Sequence, residues 1–151
     1  MKLGFGLYKH MLNADHYKFA KQCGATHVVI HMVDYFNKGS KFSSDNQPVG
    51  DAGGWGIAGD PDTLWNVEEL LQIKRNLEKH DLILIGIENL DPAHWYDILL
   101  DGPKRPLHIE NCKTIIRNMG EAGIPFLGYN FSLAGVAGRV NNTSIRGNAL
   151  S

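Results

Sequence analysis

The sequence predicts an α/β fold built as a parallel (β/α) half-barrel. Short, almost continuously apolar segments alternate with longer segments whose apolar residues recur at helical spacing, which is typical of parallel strands joined by crossover helices. The connections from helix to strand are tight, whereas those that follow strands are long. A (β/α) barrel has this asymmetry, because its long loops gather on the face that forms the site.

The first unit is a strand, a helix and a second strand between residues 3 and 33. Residues 3–8 form a short apolar segment that predicts a strand. Asn13 is placed to cap a helix, and Gly24 is placed to end it. Residues 27–33 are apolar and β-branched, which predicts a strand buried on both faces.

The second unit begins after a glycine-rich loop at residues 37–60, which we expect to be either a lid over the site or a disordered segment. Asn66 followed by Glu69 predicts the start of a helix. Its apolar stripe is Val67, Leu70, Leu71 and Leu77, and the helix should run to about Lys79. Residues 82–87 then predict a third buried strand.

The third unit begins with a second long loop, at residues 91–107, with a short turn around Trp95. A stripe at helical spacing predicts the third long helix, which Gly123 ends. The stripe consists of Ile109, Cys112, Ile116 and Met119. Residues 124–131 predict the fourth strand.

These elements are about four strands and three long helices, whereas a full TIM barrel has eight units in about 250 residues. We therefore expect residues 1–151 to form a single partial TIM-barrel domain, the amino-terminal half, with the carboxyl-terminal half absent. Such a half-barrel has two exposed strand edges and an uncovered face. Either the chain is a piece of a longer enzyme, or a second copy or complementary half completes it. A flavodoxin-like open sheet fits less well, because residues 8–12 lack a glycine loop.

Composition and charge exclude several classes of function. The chain has 151 residues, is 43% hydrophobic and carries a net charge of −1, without the basic stripe of a nucleic-acid-binding protein. No segment approaches the ~20 continuous apolar residues of a membrane span. Cys23 and Cys112 lie far apart in helical segments, which indicates two reduced thiols in a cytoplasmic protein.

Polar side chains at the carboxyl ends of the predicted strands are the candidate substrate-binding residues, because these ends meet at one face of a barrel. They are Tyr8, Lys9, His31, Glu88, Asn89, Tyr129, Asn130 and Arg139. Glu88 carries the most weight, since a carboxylate that ends an apolar strand is costly unless it has a partner. Arg139 offers a bidentate clamp for a substrate carboxylate.

Structural roles are the alternatives for three of these residues. Tyr8 could plug the barrel mouth, His31 could be a hydrogen-bonded core histidine, and Arg139 could be solvated. The sequence predicts no self-contained metal site. None of the seven histidines forms an H-x-x-x-H pair and neither cysteine has a C-x-x-C partner.

Four stretches carry a resemblance to a known family. They are MKLGFGLYKHML, GATHVVIHMVDYF, LILIGIENL and HIENCKTIIRNMGEAGIPFLGYNFSLAGVAGR. The last is the most specific, because it combines a helix, a tight turn and the loop at a strand end. Together they resemble the amino-terminal half of mannonate dehydratase, which is similar in turn to the xylose-isomerase-like barrels that act on sugars.

The resemblance implies loss of water from D-mannonate to give 2-keto-3-deoxy-D-gluconate in hexuronate breakdown. It implies a Mn²⁺ or Fe²⁺ ion, held in the family by His, Cys and Asp residues of the second half of the barrel, which is absent here. The partners implied are a sugar-acid substrate and a homo-oligomer or complementary half-barrel. Two other functions stay open: a non-catalytic half-barrel that persists by association, and a sugar isomerase or epimerase of the same barrel group.

Overall fold

The computed structural model describes residues 2–33 and 62–131, and in these residues strands alternate with helices. The strands are β1 (Gly4–Tyr8), β2 (His27–His31), β3 (Ile83–Glu88) and β4 (Phe126–Gly128). The helices are α1 (Ala14–Gln22), α2 (Val67–Glu78), α3 (Tyr96–Leu100) and α4 (Arg105–Glu121). Short 3-10 turns, Lys9–Met11 and Pro92–His94, follow β1 and β3. In these two ranges, no helix has the length and apolar character that crossing a membrane requires.

The four strands form one parallel sheet in the order β1-β2-β3-β4. Each strand therefore lies beside its neighbours in the sequence, as in one wall of a (β/α) barrel. The predicted α/β fold with parallel strands is confirmed, and the arrangement is consistent with a half-barrel. Strands β1 and β4 are the two edges of this sheet.

A β-bulge interrupts the pairing of β2 with β3. The residue after Val28 pairs with Gly86, so that Ile85 is an extra residue on β3. Beyond the bulge the two strands end with His31 opposite Glu88. The bulge therefore sets the register at the carboxyl edge of the sheet.

The two faces of the sheet differ in burial. Leu7, Ile30 and Ile87 share a register row and are fully buried in the core. Ile83 and Phe126 lie on the other face, and each is 55% exposed. We call this second side the open face. Strand β2 is buried or half-buried along its length, as predicted. Strand β3 has exposed residues at both ends, which corrects the expectation that it is buried throughout.

Local signals place the helix ends where the sequence predicts them. The Asn13 side chain accepts the N–H of the third helical residue of α1, and Asn66 Oδ1 accepts the Glu69 N–H at 2.9 Å. Gly24 and Gly123 have positive φ angles of 82° and 68° just after α1 and α4. Glycine adopts this conformation without strain, which explains both helix ends.

The region at residues 91–107, predicted to be a loop, contains helical structure. Asp91 Oδ1 accepts the N–H of Ala93 at 2.9 Å and caps the turn Pro92–His94. Helix α3 follows, and α4 already begins at Arg105. An N-cap followed by proline is a local helix-start signal, but the short segments after it carry too few residues to show a periodicity.

The buried face of α4 also differs from the predicted stripe. His108, Ile115 and Met119 are buried, whereas Ile116 is 54% exposed. A histidine is accepted in the core because its Nδ1 accepts the backbone N–H of Asp97 at 3.2 Å. Burial lowers the pKa of His108, with Asp97 opposing, so that the ring stays neutral and keeps this acceptor.

The turn between α3 and α4 depends on a buried carboxylate. Asp97 Oδ2 accepts the backbone N–H of Lys104 at 2.7 Å, just before α4 begins. A Cβ atom at Gly102 would overlap the Asp97 carboxylate, so that glycine is required for this close approach. Asp97 thus fixes the chain on both sides of the turn.

Candidate functional site

Three of the predicted site residues meet in one row at the carboxyl edge of the sheet. The register places Tyr8 beside His31, His31 beside Glu88, and Glu88 beside Gly128. The Tyr8 and His31 rings are stacked with their centroids 4.6 Å apart. His31 Nε2 lies 3.4 Å from Glu88 Oε2. We call Tyr8, His31 and Glu88 the edge row.

The edge row contains one neutral ring and one carboxylate. Burial lowers the pKa of His31 below its ordinary value of 6.5, and the Glu88 carboxylate opposes this shift only in part. His31 is therefore neutral at pH 7, and its contact with Glu88 is not an ion pair. Because carboxylate oxygens accept hydrogen bonds, the ring proton belongs on Nε2. Nδ1 is then an acceptor, and it is buried without a hydrogen-bond partner in residues 2–33 and 62–131.

Asn89 fixes the end of β3. Its φ angle is 65°, in the left-handed region that asparagine tolerates better than most residues. Its backbone N–H donates to the Gly128 oxygen at 2.8 Å, which ties the end of β3 to the end of β4. A Cβ atom at Gly128 would lie 3.5 Å from Glu88 Cγ, so that a side chain here would pack on Glu88. The glycine keeps this carboxylate, 50% exposed, accessible.

An aromatic group extends the edge beyond β4. Tyr129 is 68% exposed, and its ring lies 5.3 Å from that of Phe131. Phe131 stacks on the buried Trp95 at 4.6 Å, and Trp95 Nε1 donates to the Leu90 oxygen at 3.0 Å. Tyr129 therefore presents its phenol on an aromatic support that reaches back into the core.

Two further predicted residues lie outside the edge row. Lys9 lies in the turn Lys9–Met11 and is exposed, and Asn130 is exposed after β4. Arg139 lies outside the described residues, as does the glycine-rich loop at residues 37–60. Their substrate roles stay predictions.

Sequence reasoning missed three contributors to this edge. His10 stacks on Tyr8 with centroids 6.1 Å apart. Gly128 leaves space beside Glu88, and Phe131 supports Tyr129. His10 and Phe131 each lie two residues from a predicted site residue at a strand end, and that proximity was the available signal. The space at Gly128 depends on the pairing of β3 with β4, which the sequence does not display.

Comparison with known proteins assigns the family. The model of the D-mannonate dehydratase family UxuA matches residues 2–145, almost the whole chain. The chain belongs to the mannonate dehydratase family. The predicted resemblance is thereby confirmed.

Individual relatives match over shorter segments. "Mannonate dehydratase 2" of Halalkalibacterium halodurans is 43% identical over 68 residues, which are 45% of this chain and 19% of that protein. "Mannonate dehydratase" of Streptococcus suis strain 05ZYH33 is 45% identical over 67 residues, 44% of this chain and 18% of that protein. The aligned part of the chain thus spans about a fifth of the length of these mannonate dehydratases.

A solved structure extends the likeness to the fold. The crystal structure of mannonate dehydratase from Streptococcus suis serotype 2 matches with a TM-score of 0.55 and 26% identity. The match covers 87% of this chain and 30% of that one. The chain therefore shares its fold with part of this larger mannonate dehydratase.

The described residues do not form a binding site for the divalent metal ion that the mannonate dehydratase family implies. In residues 2–33 and 62–131, no three His, Cys, Asp or Glu side chains are grouped so as to hold one. His31 and Glu88 approach each other, but they are only two groups, and Tyr8 stacks on the imidazole.

Proposed function

We propose that this chain carries substrate-binding groups of a D-mannonate dehydratase, a lyase of hexuronate breakdown. In the proposed reaction, the C2 proton of D-mannonate and the C3 hydroxyl group leave as one molecule of water. The resulting enol becomes 2-keto-3-deoxy-D-gluconate. The match to the family over residues 2–145 is the observation that carries this proposal.

The groups proposed to bind the sugar acid are the edge row together with Lys9, Asn89, Tyr129, Asn130 and Arg139. Glu88 is half-exposed and accepts hydrogen bonds, while the phenols of Tyr8 and Tyr129 both donate and accept. These are the groups that recognise a polyol chain. The general base and general acid are not assigned to any described residue.

The cofactor and location belong to the same proposal. We propose Mn²⁺ or Fe²⁺ as the metal, which as a Lewis acid stabilises the negative charge that forms when a proton leaves beside a carboxylate. Its ligands are proposed to lie outside the described residues. A cytoplasmic location agrees with the two free cysteines, Cys23 and Cys112.

A second candidate function is favoured by the open face. Ile83 and Phe126 expose apolar surface there, and β1 and β4 leave unpaired edges in the described sheet. A non-catalytic half-barrel that associates with a second copy or a complementary half would cover both features. Sedimentation of the purified chain distinguishes a monomer from such an assembly.

The proposed activity is tested by incubating the chain with D-mannonate and Mn²⁺ or Fe²⁺, and following the 2-keto-3-deoxy acid by NMR. Direct binding of D-mannonate is measured in parallel by calorimetry. We expect Glu88→Gln to weaken binding about tenfold, since hydrogen bonds to charged groups contribute about 1.5–3 kcal/mol. Glu121→Gln, at the exposed end of α4, is the control and should bind as the parent chain does.

The two readouts separate the two candidate functions. Product formation or D-mannonate binding that depends on Glu88 supports the dehydratase. The non-catalytic half-barrel is supported instead if the chain folds and associates but neither binds nor converts D-mannonate. In that case Glu88→Gln should leave the association unchanged.

A further inference from the structure

We propose that the edge row receives the hydroxyl-bearing tail of the sugar acid, and that the substrate carboxylate binds elsewhere. This inference rests on the proposed function, because it assigns an orientation to the substrate of that same site. It is carried by the charge and the hydrogen-bonding capacity of the half-exposed Glu88 carboxylate, and by the space that Gly128 leaves beside it.

Charge is the first argument. Glu88 brings a carboxylate to the row, and His31 beside it is a neutral imidazole that does not compensate this charge. Lys9 follows Tyr8 in the chain but lies in the next turn, outside the register row. A substrate carboxylate placed against Glu88 would therefore meet a like charge at close range.

Hydrogen-bonding capacity is the second argument. The Glu88 carboxylate only accepts hydrogen bonds, and its half-exposed side chain leaves acceptor sites free for a ligand. A substrate carboxylate has no donor to offer, whereas two neighbouring hydroxyl groups offer two donors to one carboxylate.

Shape is the third argument. The Tyr8 and His31 rings stack on each other at 4.6 Å, and the His31 imidazole lies against one side of the Glu88 carboxylate. Gly128 leaves the other side of Glu88 without a side chain. A carboxylate with one open side is accessible to the hydroxyl groups of a carbon chain that lies along this edge of the sheet.

The experiment titrates the chain with three probes and follows the imidazole NMR signals of His31, assigned with His31→Gln. The probes are D-mannonate, the neutral polyol D-mannitol, and glycolate, which has a carboxylate but no polyol tail. We expect D-mannonate and D-mannitol to shift the His31 signals and glycolate to leave them unchanged. Glu88→Gln should weaken both D-mannonate and D-mannitol about tenfold, and Glu121→Gln should weaken neither.

Each outcome decides the inference separately from the proposed function. If glycolate shifts the His31 signals and Glu88→Gln tightens D-mannonate, the carboxylate binds at the edge row; the orientation is then wrong, although the chain still binds the sugar acid. If D-mannitol shifts the His31 signals and D-mannonate does not, the edge row binds a polyol but not the sugar acid; the inference then fails, and product formation alone judges the dehydratase. If no probe shifts His31, the inference is overturned, and product formation alone judges the dehydratase.

Discussion

Gly86 is a position on the open face with no room for a side chain, and its replacement by alanine tests the packing of β3 on β4. A Cβ atom here would lie 2.6 Å from Phe126 Cδ1 and 3.0 Å from the Phe126 backbone oxygen. The ring can rotate away, but the oxygen moves only if β4 shifts. Overpacking of this kind costs about 1–3 kcal/mol, and we expect Gly86→Ala to lower the free energy of unfolding by that amount.

Gly6 provides the matched control. It stands in the same register row as Gly86, two strands away, and a Cβ atom at Gly6 would meet nothing within 4 Å. We expect Gly6→Ala to be neutral or to stabilise the chain by up to about 1 kcal/mol, because alanine restricts the unfolded chain more than glycine does. Urea unfolding followed by circular dichroism and tryptophan fluorescence gives both free energies.

The reasoning is refuted if Gly86→Ala destabilises the chain no more than Gly6→Ala does. A second variant separates the clash with the Phe126 ring from the clash with the Phe126 backbone oxygen. Adding Phe126→Ala to Gly86→Ala should recover part of the loss, because the ring clash disappears while the backbone oxygen remains. Full recovery would show that β4 itself does not resist the added methyl group.

Three further predictions concern the helices and the buried histidines. Asn66→Ala removes the N-cap of α2 and should lower the free energy of unfolding by about 0.5–2 kcal/mol. Gly102→Ala places a methyl group against the Asp97 carboxylate and should lower the free energy of unfolding by about 1–3 kcal/mol in the same urea assay. An unchanged free energy of unfolding would show that the turn rearranges without cost. Burial lowers the pKa of His31 and His108, so that below pH 6.5 the unfolded chain binds more protons. The stability that these two neutral histidines contribute is therefore present above pH 6.5 and is lost as the pH falls through their folded pKa values. A urea midpoint that does not fall on acidification would contradict this prediction.

Strand order and helix caps were predictable because both depend on local signals. A buried apolar segment such as residues 82–87 and a cap such as Asn66 can be recognised without knowing what packs against them. The helices in residues 91–107 were missed for a different reason. They are short, and their stability comes from tertiary contacts of Asp97 and His108 that the sequence does not display.

The candidate site was predictable in membership but not in geometry. Strand-end position selected Tyr8 and Glu88, because parallel strands deliver such residues to one edge. His31 lay inside the predicted strand at residues 27–33, and the structure places it at the end of β2. His31 is neutral because it is partly buried, and it contacts Tyr8 and Glu88 because of the strand register. Both burial and register depend on the packed structure and cannot be read from the sequence. The interpretation of His31 as a hydrogen-bonded core histidine is not supported at Nδ1, which lacks a partner in the described part of the chain.

The surplus residue Ile85 decides which side of the sheet receives the carboxylate. Side chains alternate along a regular strand, and the bulge leaves Ile85 without a partner on β2, so that every later residue of β3 takes the side opposite to the one that unbroken pairing would give. With Ile85 in place, Ile87 points into the interior and Glu88 stands beside His31. With unbroken pairing, Ile85 would stand opposite Val29 and Ile87 opposite His31, which would turn Glu88 inward and Ile87 out to water; the acid of the edge row therefore owes its position to an irregularity three residues upstream.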